Sequence, residues 1–220
     1  SIRVEHRGLG RHGAEIKIRH FRSPKIKKGS KIKLMEKLAK QAKAQGKEVV
    51  VVMGLGFVGV VMAAIVADTK DKKGKYSKFV IGYQRPSVRS FWKIPLVNRG
   101  ESPVKAEDPE VDPMIERCVL EKKTLIATYT YEVLKHADVV VVDVQCDYIK
   151  EDLGDVRTGQ TDMAALEASL GVIAEHIPPK ALVLIETTVA PGTTEQVAYP
   201  IMKKAFRKRG IESDPLLAHS

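Results

Sequence analysis

Three observations predict an α/β fold with a doubly wound, mostly parallel sheet. Strand-like and helix-like segments alternate from Lys47 onward, the pattern left by parallel strands joined through crossover helices. The strand-like segments are short and β-branched, and the best of them are apolar throughout, as strands covered on both faces must be. One of them, Val49–Met53, runs straight into a glycine-rich turn and then an apolar helix of small residues. Ahead of this body lies a basic N-terminal extension over residues 1–47.

The turn carries the G-x-G-x-x-G spacing at Gly54, Gly56 and Gly59. The first glycine permits a sharp exit from the strand. The second lacks a Cβ, so a pyrophosphate can approach the backbone. The third lets the helix pack close, with its free N–H groups facing the phosphates. Leu55, Phe57 and Val58 lie in the same loop and are placed with the glycines in a cofactor site. A tight strand–helix turn without ligand shares the spacing, but the flanking strand and helix are the context that a dinucleotide site in a Rossmann-like fold requires.

The elements follow in order. Ala14–Arg19 alternates as a short strand would, and Ser23-Pro24 and Gly29-Ser30 break the extension. Lys31–Gln45 predicts a helix with an apolar stripe of Ile32, Leu34, Met35, Leu38, Ala39 and Ala42, closed by Gly46. Val49–Met53 and Phe57–Thr69 form the first strand and helix, and Phe79–Tyr83 the second strand. Five prolines between Pro86 and Pro113 make residues 84–113 irregular. Met114–Glu121 suits a turn or two of helix, Leu125–Thr128 a strand, Tyr131–His136 a short helix and Val139–Val144 a strand. Thr161–His176 reads as an amphipathic helix opened by a Thr/Asp cap. Leu182–Glu186 is a strand, Thr193–Arg209 a helix around Pro200, and Leu216–Ala218 a last strand.

Composition narrows the classes. Hydrophobic residues make up 44% and charged residues 29%, ordinary for a globular chain, but aromatics only 5%, so the core rests on Val, Ile, Leu and Ala. No apolar run approaches the ~20 residues that span a bilayer. The chain opens on Ser1 without a signal-peptide pattern, which reads as a processing or artificial boundary. Cys118 and Cys146 form neither a disulfide framework nor a zinc pattern, which points to a reducing, cytoplasmic setting. The net charge of +10 is unevenly spread. Residues 1–48 hold 15 Lys+Arg against 4 Asp+Glu, a balance of +11; residues 49–220 hold 22 against 23, a balance of −1. A near-neutral body with a basic arm disfavours nucleic acid as the partner. The arm reads as an added helix with solvated lysines, as a hold for an anionic partner, or as an oligomer contact.

Two further segments carry candidate chemistry. An acidic residue usually ends the second strand of a dinucleotide fold, holding the adenosine ribose. Here Gln84 and Arg85 stand instead, with Arg89 close behind. An arginine suits a 2′-phosphate, so the cofactor is NAD or NADP; Gln84 on an NAD ribose with solvated arginines is the other arrangement. The second segment, Glu186 to Thr194, follows a buried strand and opens a helix, where hydroxyls and N–H groups face the ligand crevice of open α/β sheets. A capped strand–helix turn alone fits that composition equally. His136 and His176 sit at predicted helix ends, where a charged imidazole favours the dipole, and no histidine is given a catalytic role.

In these motifs the chain resembles the UDP-glucose/GDP-mannose dehydrogenases, the nucleotide-sugar 6-dehydrogenases. Gly54–Gly59 matches the family's cofactor loop. Asn98-Arg99-Gly100-Glu101-Ser102-Pro103 matches its Asn-x-Gly-x-x-Pro segment, with Asp108-Pro109-Glu110-Val111 loosely following. Ala137–Val142 matches the fourth strand, and Glu186-Thr187-Thr188-Val189-Ala190-Pro191-Gly192-Thr193-Thr194 closely matches Glu-Ser-Thr-Val-Pro-Pro-Gly-Thr-Thr. The resemblance covers residues 48–220 and implies oxidation of a sugar C6 hydroxymethyl to a carboxylate by two hydride transfers, with a cysteine capturing the aldehyde. It assigns the pyrophosphate role to Gly54, Gly56 and Gly59, a place near the cofactor to Glu186 and Thr187, and a catalytic position between nicotinamide and substrate to Thr188. It also places Val144, Gln145 and Cys146 at the cofactor.

The departures are informative. Gln84 replaces the family aspartate and Arg89 a lysine. Gln145-Cys146-Asp147 replaces Pro-Thr-Pro, so Cys146 stands for a cofactor-contacting threonine and is not the nucleophile. Cys118 reads as a buried structural thiol. The Gly-Phe-Gly-Gly-x-Cys segment of the family's nucleophile has no match here, nor do the lysine and asparagine of its central helix. The expectation is therefore an NAD(P)-binding domain over residues 48–220 whose central helix and C-terminal domain are absent. As such it is inactive alone, acts on a UDP-sugar, and belongs to a protein that dimerises when whole. The alternative is a non-catalytic Rossmann-fold binding or regulatory protein that uses its basic arm on an anionic partner. A 6-phosphogluconate-type or short hydroxyacid dehydrogenase shares the glycine loop but leaves the Asn98–Pro103 segment unexplained.

Overall fold

The computed structural model describes residues 28–149 and 160–220; the strand expected at Ala14–Arg19 lies outside them. In order the elements are α1 (Lys28–Ala44), β1 (Glu48–Met53), α2 (Phe57–Ala67), β2 (Lys78–Tyr83), α3 (Lys93–Val97) and α4 (Val111–Glu116), which continues as a π-type turn, Arg117–Glu121. Then come β3 (Leu125–Thr128), a 3₁₀ segment Tyr131–His136, β4 (Val139–Val142), β5 (Asp147–Ile149), β6 (Gln160–Asp162) and α5 (Ala164–His176). The chain closes with β7 (Leu182–Ile185), a π-type turn Thr194–Ala198, α6 (Tyr199–Lys208) and β8 (Leu216–His219).

Six strands form one sheet in the order β3-β2-β1-β4-β7-β8, every pairing parallel. The direction of winding reverses between β1 and β4, which opens a crevice at their C-terminal ends. β1 shows why its run is apolar throughout. Val49, Val51 and Met53 face a layer containing α1, α5 and α6, while Val50 and Val52 face α2 and α4. The small residues Gly59, Ala63 and Ala67 are buried along α2, so the helix lies close on the sheet. β3 is an edge strand, and Asn98 pairs with it as a strand would. Asn98 Nδ2 donates to the Ala127 carbonyl at 2.9 Å, and its Oδ1 accepts the Ala127 N–H at 2.7 Å. That pairing gives Asn98 its structural role.

α1 packs Met35, Ala39 and Ala42 onto the sheet. Its end is a left-handed cap at Gly46 (φ +73°), with Lys47 N–H donating to the Ala42 carbonyl and Gly46 N–H to that of Lys43. Lys43 Nζ pairs with Asp138 Oδ1 at 2.6 Å, and Asp138 Oδ2 accepts the Val49 N–H at 2.8 Å. Lys135 pairs with Glu36 and holds its carboxyl below the usual range. No helix among the described residues is long and apolar enough to cross a membrane.

Several expectations are corrected. α1 begins at Lys28, so Gly29-Ser30 lie inside it, and Leu34 is 46% exposed, off the packed stripe. Residues 84–113 are not wholly irregular: α3 forms around Pro95, and α4 carries Pro113 in its first turn, where a missing N–H costs nothing. The fourth strand stops at Val142, leaving Asp143 outside it. Thr161 and Asp162 do not open a helix. They belong to β6, paired antiparallel with β5, because strand pairing satisfies their backbone groups. Asp162 Oδ1 still accepts the Ala164 N–H at 3.0 Å. Burial, with Lys135 beside it, holds the His136 imidazole below its usual range.

Candidate cofactor site

A cleft of about 600 Å³ lies at the C-terminal ends of β1, β2, β4 and β7, over the point where the winding reverses. It is lined by the sequence-predicted residues Gly54, Gly56, Phe57 and Val58 from the glycine turn, and by Gln84, Arg85 and Arg89 after β2. Val144, Gln145 and Cys146 line it after β4, and Glu186, Thr187 and Thr188 after β7. Leu55 and Gly59 do not line it. Leu55 is fully buried in the core, and Gly59 sits beneath the turn.

The turn is held by close contacts. Gly54 has φ +106°, and a Cβ there would stand 2.1 Å from the Asp143 carbonyl oxygen. A Cβ at Gly59 would stand 2.1 Å from the Gly54 carbonyl oxygen and 2.6 Å from Asp143 Oδ2. Gly56 differs: its nearest neighbour would be Asp143 Oδ2 at 3.9 Å, so a side chain there would fill the cleft. The open face of Gly56, next to the N-terminus of α2, fits a pyrophosphate.

Gln84 and Lys93 lock the turn from the side. Gln84 Oε1 accepts the Leu55 N–H at 2.9 Å, and Lys93 Nζ donates to the Leu55 carbonyl at 3.0 Å. Because a backbone N–H donates to the Gln84 oxygen, the amide nitrogen is left as a donor. With exposed Arg85 and Arg89 beside it, the β2 end of the cleft presents donors.

Thr187 is structural as well as cleft-lining. It is buried; its Oγ1 accepts the Val144 N–H at 3.0 Å and lies 2.9 Å from the Val144 carbonyl, to which it can donate. It thus ties the loop after β4 to the end of β7, while Glu186 is half-buried and Thr188 exposed. Thr187→Val keeps the shape and removes these bonds. It is expected to cost about 1–3 kcal/mol in denaturant unfolding, because the Val144 N–H is left without this partner.

Sequence reasoning missed Asp143, Lys93, Ser90 and Ser169, all of which line the cleft. Asp143 had a signal: it is the charged residue directly after a buried parallel strand, where ligands bind. Burial, then the Glu186 charge, push its carboxyl above the usual range; the Gly59 N–H and Lys93 pull the other way. Cys118 is buried 3.7 Å from Asp68 Oδ1, and burial pushes its thiol up to about 11, as a structural cysteine requires. No group of acidic, histidine or cysteine residues suited to a metal ion occurs among the described residues.

Comparison with known proteins agrees with this geometry. The sequence profile of the UDP-glucose/GDP-mannose dehydrogenase family, NAD binding domain, matches residues 48–218. UDP-N-acetyl-D-mannosamine dehydrogenase of Pyrococcus horikoshii is 29% identical over 163 residues, which are 74% of this chain and 34% of that protein. GDP-mannose 6-dehydrogenase of Pseudomonas putida is 24% identical over 162 residues, 73% of this chain and 33% of that protein. Among solved structures, NDP-N-acetyl-D-galactosaminuronic acid dehydrogenase from Methanosarcina mazei Go1 is similar with a TM-score of 0.66 and 30% identity, covering 84% of this chain and 36% of that one. The chain spans about a third of the length of these relatives. With its parallel sheet, glycine turn and matching profile, the chain belongs to the UDP-glucose/GDP-mannose dehydrogenase family and carries that family's NAD-binding domain.

Proposed function

We propose that residues 48–220 bind and orient the nicotinamide cofactor of a nucleotide-sugar 6-dehydrogenase, which oxidises the C6 hydroxymethyl of a UDP-sugar to a carboxylate. The observation that supports this most is the convergence of the glycine turn and Glu186-Thr187-Thr188 on one cleft. The open face of Gly56 and the α2 N-terminus take the pyrophosphate. Gln84, Arg85 and Arg89 take the adenosine ribose end. The tie through Thr187 positions Val144, Gln145 and Cys146 along the cofactor and leaves Thr188 exposed toward the substrate, where its hydroxyl orients the reacting oxygen. The nicotinamide supplies the hydride acceptor. The family's thiol segment has no counterpart in these residues, so the chain by itself binds cofactor without completing the reaction, in a cytoplasmic protein that dimerises when whole.

Calorimetric titration with NAD and with NADP at two salt concentrations tests this. The expected result is binding of NAD or NADP; tighter NADP binding that weakens as salt rises would assign Arg85 and Arg89 to a 2′-phosphate. Tighter NAD would leave Arg85 and Arg89 as surface charge. Binding of neither would overturn the cofactor reading and turn attention to the basic arm.

A further inference from the structure

We infer that Asp143 is a charge gate in the cofactor cradle: its carboxylate holds the N-terminal turn of α2 and resists the pyrophosphate, and its neutral acid yields the site. Four observations carry this, and it rests on the dinucleotide reading above.

The first is position. Asp143 Oδ2 lies beneath the glycine turn, 3.9 Å from where a Cβ of Gly56 would stand and 2.6 Å from that of Gly59. The second is bonding. The carboxylate stands against the first turn of α2 at Gly59, among the backbone donors that the helix offers an anion, and these hold its proton affinity down. The third is the helix's own sequence. α2 has no side-chain cap and no acidic residue in its first turn, so Asp143 supplies that function from the end of β4. The fourth is the surrounding charge. Glu186 faces Asp143 from the end of β7, and Lys93 faces it from α3 with its ammonium already bonded to the Leu55 carbonyl. The glycine turn and α2 bring no charge, and α5 presents Ala165 and Ser169. Arg85 and Arg89 stand at the β2 end. An incoming pyrophosphate therefore meets two carboxylates and one committed lysine.

The sign follows. Like charges in a half-buried site repel, so the dinucleotide binds best to the protonated acid. Burial and Glu186 already hold Asp143 above the usual carboxylate range. Affinity is highest below its titration and falls as pH rises through it, and bound dinucleotide in turn favours the protonated form. A carboxylate that served only to hold α2 would give the opposite dependence, with affinity falling as it is protonated.

The test is calorimetric titration of the wild-type chain and Asp143→Asn with the tighter of NAD and NADP, at constant ionic strength, from about pH 5 to about pH 8. Comparing the two proteins at each pH cancels any titration of the ligand or of the histidines. Asn keeps an acceptor for the Gly59 N–H without the charge. Asp143→Ser removes the charge with a shorter hydroxyl and stands in should the Asn variant not fold. The expected result is about tenfold tighter binding by the variant at the upper pH, with the difference shrinking as pH falls toward the Asp143 titration, the equivalent of about one pKa unit of coupling. Equal affinities at every pH, or weaker binding by both variants, would overturn the gate alone. No binding by any protein at any pH would sink the gate and the cofactor reading together.

Discussion

Gly59→Ala is expected to destabilise the chain by about 3–5 kcal/mol and to weaken dinucleotide binding about a hundredfold. The added methyl would stand 2.1 Å from the Gly54 carbonyl oxygen, a backbone atom that cannot step aside, and 2.6 Å from Asp143 Oδ2. α2 must then lift from the turn. That loosens its packing through Val60, Ala63 and Ala67 and displaces the N–H groups that face the cleft. Gly171→Ala is the control. It lies inside α5 with nothing within 4 Å of a new Cβ, so the same substitution there is expected to stabilise by about 0.5–1 kcal/mol. Denaturant unfolding reads both, and calorimetry reads the affinity. Equal small effects at both sites would mean that the turn is not held as described.

Phe206→Ala is expected to cost about 3–5 kcal/mol and to lower the melting temperature by about 10 °C. Phe206 is fully buried in α6 and belongs to the core cluster that holds Leu166, Leu170 and Ile173 of α5. The two helices are also joined where Arg209 Nη1 donates to the Ala174 carbonyl at 2.6 Å. Phe206→Leu, which leaves a smaller void, is expected to cost about 1–1.5 kcal/mol. The functional cost should be modest in comparison. α5 gives the cleft only Ala165 and Ser169, while the glycine turn, Gln84 and Asp143 rest on other elements. A loss of dinucleotide affinity as large as that of Gly59→Ala would show that the α5 wall, not the turn, governs binding.

The sequence by itself determined the parallel sheet, the glycine turn and the family. It could do so because these are local signals: an apolar run bounded by turn residues, a fixed glycine spacing and ordered motifs need no knowledge of distant neighbours. The nearly unbroken valine run of β1 was readable for the same reason, since each residue is buried on whichever face it points to. Boundaries were less legible. Thr161 and Asp162 carry a good helix-start signal, and only their pairing with β5 makes them a strand. The tertiary structure alone decided which side chains meet at the ends of β1, β4 and β7, far apart in the chain. It put Asp143 beneath the turn, committed Gln84 and Lys93 to Leu55, made Thr187 a tie and set Asn98 on the edge of β3. The physical reason is that a buried polar group takes its role from the partner that satisfies it, and here that partner is supplied by strand order, not by neighbours in sequence.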